Sequence, residues 1–88
     1  MKDLLKVFKA MLLLMEYNVY DEVQMRLNHW KHEIEATLEE TGVEYDLHYA
    51  DRCFFVDIPG GYRIEMPLRP YGDGYFTLDD VNVKGVNR

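Results

Sequence analysis

The stretch from Tyr20 to Thr41, YDEVQMRLNHWKHEIEATLEET, constrains the chain most. Val23, Leu27, Trp30, Ile34 and Leu38 recur at steps of four, three, four and four, the period of one helical face. Glu22, Arg26, His29, Glu33 and Glu40 lie towards the other side, so the stripe needs a partner surface to cover it. Asn18 or Asp21 offers an N-cap, Glu22 a negative charge in the first turn, and Gly42 a left-handed stop.

Before this stretch, Lys2 to about Tyr17 reads as a first helix. Leu4, Phe8, Met11, Leu12 and Met15, with Leu5 and Val7, spread over more than one face, and only the Lys2, Lys6, Lys9 edge is polar. So wide an apolar surface on a short helix predicts cover from two directions, by the second helix and a sheet or by a second copy of the chain. A homodimer built on Leu4, Phe8, Met11, Leu12 and Met15 is therefore expected. The run Ala10–Met15 behind three lysines resembles a secretion signal only superficially, because Glu16, Tyr17 and Asn18 close it without a small-residue cleavage site. A membrane span would need about 20 apolar residues.

After Gly42 the period changes to two. Val43, Tyr45, Leu47 and Tyr49 alternate with Glu44, Asp46 and His48; Phe54, Val56 and Ile58 repeat the pattern, as do Tyr62, Ile64, Met66 and Leu68. Pro59-Gly60-Gly61 suits a three-residue hairpin loop, which sets Ile58 opposite Tyr62, Val56 opposite Ile64, Phe54 opposite Met66 and Asp57 opposite Arg63. A two-residue turn at Ala50-Asp51 would set His48 opposite Cys53 and Glu44 opposite Asp57, a like-charge pair for Arg63 to offset. Pro67 ends the third strand or marks an edge. Arg69 to Gly74 reads as a loop, Tyr75 to Leu78 as a fourth strand, with one helical turn over Leu78 to Lys84 as the alternative, and Val86 to Arg88 as a frayed end. The fold class predicted is α+β over residues 1–88 as a single domain: two N-terminal helices on one face of a three- to four-stranded antiparallel meander. Phe55 then points outward by parity, under a loop or in a contact surface.

Charge narrows the function classes. A formal net charge of -6 disfavours direct nucleic-acid binding, which draws its affinity from Lys and Arg on phosphates, and favours a partner protein with a basic surface. The lone Cys53 excludes an internal disulfide and fits a cytoplasmic protein. Serine is absent, so Ser-His-Asp hydrolysis is excluded. His29, His32 and Glu33 fall within about one helical turn but match no zinc-protease spacing. Cys53 and His48 supply the residue types of a thiol nucleophile and its base. Neither pattern is specific. The glycine pairs show neither phosphate-loop nor calcium-loop spacing, and the tyrosines fall on inward parity, as core rather than base-stacking platforms. No catalytic residue, metal or cofactor is assigned.

From Glu33 to Asp51 the chain carries seven acids, Glu33, Glu35, Glu39, Glu40, Glu44, Asp46 and Asp51, and no Lys or Arg. With outward-facing Phe55, these make an expected partner-binding surface, which would steer a basic groove and speed association. The leading expectation is a small acidic, non-enzymatic interaction module. One form is an inhibitor seated in the nucleic-acid groove of a basic enzyme, a role small acidic phage-encoded anti-defence proteins, anti-CRISPR proteins among them, often play. The alternatives are a small metal- or thiol-dependent enzyme using His29, His32 and Glu33 or Cys53 and His48, and a small-ligand-binding domain.

Overall fold

A computed structural model describes residues 2–21 and 23–85, the side chains of 18–21 excepted. Helix α1 (Lys2–Asp21) leads into a two-residue strand β1 (Met25–Arg26) and helix α2 (Leu27–Thr41). Strands β2 (Asp46–Ala50), β3 (Cys53–Ile58), β4 (Tyr62–Pro70), β5 (Tyr75–Leu78) and β6 (Asn82–Gly85) follow. The architecture is the α+β layout expected, helices first and an antiparallel sheet after, with two more strands than the alternation disclosed.

Both helices bury their apolar stripes on one face of the sheet. Val7 and Met11 of α1 and Trp30, Ile34 and Leu38 of α2 are fully buried with Val56, Ile64 and Met66 of the strands, and Phe54 is all but so. Period-two burial on β3 and β4 follows from the pleat, which sends successive side chains to opposite faces. The Pro59–Gly61 hairpin adopts the register expected, Ile58 opposite Tyr62 through Phe54 opposite Met66, with Gly61 at φ 82.

Helix α2 starts at Leu27 rather than near Tyr20, so Val23 lies outside it and the N-cap is Arg26, extended and without a side-chain cap. Asn18 and Asp21 belong to α1 instead of capping α2, and Glu22 lies outside the described residues. Tertiary pairing decides this boundary. Met25 and Arg26 stand opposite Phe76 and Tyr75 of β5, and the Arg26 guanidinium lies 4.9 Å from the Tyr75 ring centre. Tyr75 is consequently exposed beneath Arg26, while Tyr45, Tyr49 and Tyr62 pack against the core as expected. Gly42 closes α2 at φ 73, its N–H donating to the Glu39 carbonyl.

The sheet runs β1-β5-β4-β3-β2, and β6 pairs with the first half of β4. Strand β4 therefore shares one edge between two partners: β6 meets residues Tyr62 to Glu65, β5 meets Leu68 to Pro70. Pro67 sits at the handover, opposite Cys53 on the other side, and its missing N–H falls where neither ladder continues. That is why Pro67 neither ends β4 nor marks an edge; its carbonyl accepts from the Asp79 N–H at 2.9 Å. Strand β6 replaces the helical turn considered over Leu78 to Lys84, and Arg69 and Pro70 extend β4 so that the loop contracts to Tyr71–Gly74. The expected frayed end, residues 86–88, lies outside the described residues.

Candidate functional site

The β2–β3 turn uses Asp51 and Arg52, at φ 51 and 59, in place of Ala50 and Asp51. Two successive left-handed residues make a type I′ turn, whose twist matches that of the flanking strands. The shift moves each β2 residue two places along β3, so the faces are kept but the neighbours change. His48 meets Phe55, Ala50 meets Cys53, and Asp46 rather than Glu44 is the carboxylate opposite Asp57.

On the outer sheet face, Phe55 lies between the His48 ring, stacked at 5.3 Å and 20°, and the Arg63 guanidinium, 5.2 Å from its centre. An outward aromatic is thus shielded by its neighbours' side chains. Arg63 forks onto Asp57 through Nε at 2.6 Å and Nη2 at 3.2 Å, and Asp57 keeps its guanidinium protonated more firmly than usual. The expected offset of the like-charge pair is present, with Asp46 as the second acid. Ligand atoms of Asp46, His48 and Asp57 lie within 4.8 Å of one another, the single such group of three among the described residues. Arg63 already places a positive charge on Asp57 there, in competition with any cation.

The other sequence candidates separate. His29, His32 and Glu33 are exposed on α2 and do not gather three ligand atoms at one point. Cys53 is not beside His48; its Sγ lies 3.6 Å from the Phe54 carbonyl, and burial, reinforced by Glu65, pushes its thiol pKa up, the direction opposite to an activated nucleophile. On α1, Met11 is fully buried within its own chain, and Leu4, Phe8, Leu12 and Met15 are partly buried against the core. A second copy docking there would meet Leu5, Leu13 and Tyr17, at 55%, 66% and 57% exposure.

The eight residues expected to form one acidic surface divide into four places. Glu33 and Glu40 lie on exposed turns of α2, Glu40 lining a groove with Lys6 and Lys9 of α1. Asp51 occupies the hairpin tip, and Phe55 the outer face. The remaining four, Glu35, Glu39, Glu44 and Asp46, line a single open groove of about 560 Å³ with Tyr45 and Leu47. Two elements assemble it: Glu35 and Glu39 stand one turn apart on α2, and Gly42 turns the chain so that Glu44 and Asp46 run alongside them. Among the described residues, no Lys or Arg lines it. The Tyr45 hydroxyl donates to Glu39 Oε2 at 2.7 Å, and this bond, then burial and the charges of Glu39 and Glu35, push its pKa up to about 12.

The groove lies at the start of β2, an outermost strand that pairs only with β3 among the described residues. Sequence reasoning found the four acids by counting but missed the edge, because no local pattern says which strand ends a sheet. No helix is long and apolar enough to cross a membrane. No protein-family model, curated protein or solved structure matches the chain.

Proposed function

We propose that this protein is a small non-enzymatic interaction module that docks a basic surface of another protein in the groove between α2 and β2. The observation that carries this reading is the convergence of Glu35, Glu39, Glu44 and Asp46 on one open groove that no Lys or Arg lines among the described residues. Four carboxylates, two on α2 and two on the segment that leads from Gly42 into β2, present a negative field, which attracts Lys and Arg side chains and accelerates encounter. A thiol-based reaction is the weaker reading, since Cys53 stands opposite Ala50 rather than His48 and its pKa moves away from reactivity.

The test is binding of a lysine-rich peptide measured against ionic strength. Affinity should fall steeply as the Debye length shortens from about 10 Å at 0.1 M to about 3 Å at 1 M salt. A variant carrying E35Q, E39Q, E44Q and D46N should lose most of it. Affinity indifferent to both salt and these substitutions would refute the docking role.

A further inference from the structure

We propose that the edge of β2 left open among the described residues receives an extended, lysine- or arginine-rich segment of the partner as an added strand. The proposal rests on the acidic-groove reading and specifies how the partner's chain is held.

The argument starts from the ladder. In a two-residue hairpin the residues flanking the turn exchange both main-chain hydrogen bonds, and such pairs alternate with non-bonded ones. With Asp51 and Arg52 in the turn, the bonded pairs are Ala50 with Cys53, His48 with Phe55 and Asp46 with Asp57. The main-chain N–H and C=O groups of Leu47 and Tyr49 therefore point away from β3, along the open side of the sheet. A strand edge of this kind is a template for main-chain pairing.

Natural edges are usually closed by an inward charge, a proline, a bulge or a covering element. Strand β2, Asp46 to Ala50, contains no lysine, no proline and no bulge in its register with β3. What marks it is charge of one sign: Asp46 and Leu47 line the groove with Glu35, Glu39 and Glu44. An added strand running beside Leu47 and Tyr49 would carry its side chains alternately to the two sheet faces. Those on the helix side would lie towards Glu35 and Glu39, and those on the outer side towards Asp46. Basic residues satisfy both directions. A second copy of this chain, bringing its own net charge of -6, is the poorer electrostatic match.

The test uses the whole protein and two synthetic peptides of alternating lysine and valine, one unmodified and one methylated on every backbone nitrogen. Charge is the same in both, but the methylated peptide cannot donate to a strand edge. Binding is read by fluorescence anisotropy, and amide exchange by NMR. The unmodified peptide should bind and slow exchange of the Leu47 and Tyr49 amides far more than those of Asp46, His48 and Ala50, which β3 already holds. The methylated peptide should bind at least about tenfold more weakly, since each main-chain hydrogen bond lost weakens binding by up to about one factor of ten. Equal affinity of the two peptides, abolished by E35Q, E39Q, E44Q and D46N together, would overturn strand addition while leaving the acidic groove intact as a docking site. Binding of neither would overturn both. Protection of Leu47 and Tyr49 that rises with protein concentration alone would assign the edge to a second copy and overturn the choice of occupant.

Discussion

The Tyr45 hydroxyl and the Glu39 carboxylate are joined by a hydrogen bond of 2.7 Å, which ties the segment entering β2 to the last turn of α2. This bond holds the two walls of the acidic groove together, and it exists only while Tyr45 keeps its proton. In the folded chain the phenol pKa is pushed up to about 12 from a normal 10.0. Because the folded value lies above the unfolded one, the stabilisation is complete below pH 10 and is lost as pH rises towards 12, where the unfolded chain releases its proton first. Difference absorbance between the native protein and Tyr45→Phe should show this phenol titrating near pH 12, and Glu39→Gln should return it towards 10.

Arg63 has a second test. It bonds Asp57 while Asp57 faces Asp46 across the β2–β3 ladder. Arg63→Ala should destabilise by up to about 1 kcal/mol, the range of partly exposed ion pairs. Adding Asp46→Asn should recover part of the loss by removing the repulsion. Urea unfolding of the two single variants and the double variant closes the cycle; strict additivity would show that Arg63 does not offset the repulsion of Asp46 and Asp57.

Trp30 links packing to polarity, being fully buried with its Nε1–H donating to the Phe76 carbonyl at 2.7 Å. Trp30→Phe should cost about 1–3 kcal/mol for the orphaned carbonyl. Trp30→Ala, which also opens a cavity, should cost about 3–5 kcal/mol. A negligible loss from Trp30→Phe in chemical denaturation would mean that the hydrogen bond contributes nothing.

Helix α1 offers a contrast between two of its own residues. Met11 is fully buried and Leu13 is 66% exposed. Met11→Ala should cost about 2–5 kcal/mol. Leu13→Lys should change monomer stability by no more than about 0.5 kcal/mol. Thermal or urea unfolding at low protein concentration reads both, and a large loss from Leu13→Lys would show that this face is covered in solution.

Hydrophobic period and turn chemistry were legible along much of the chain. The stripe ending in Trp30, Ile34 and Leu38, the Gly42 stop, the Pro59–Gly61 hairpin and the buried parity of β3 and β4 all follow from repeats of 3.6 and 2.0 residues and from glycines that accept positive φ. These are local rules, so a local reading reaches them. The excess of acids between Glu33 and Asp51 was visible in the same way, as a count without geometry.

Everything that required two distant segments was decided by the tertiary structure. Met25 and Arg26 left the helical pattern because β5 offered main-chain partners, and Asn82 to Gly85 became a strand because the stretch of β4 before Pro67 had an edge that β5 does not pair. One residue's difference in turn position separated His48 from Cys53 and placed Asp46 against Asp57. The same long-range packing divided the seven acids, left four of them around one groove, and made β2 an outer strand. A sequence states which side chains prefer burial and which backbone angles are cheap; which strand edge stays open depends on hydrogen bonds between residues far apart in the chain, and those are settled only when the sheet closes.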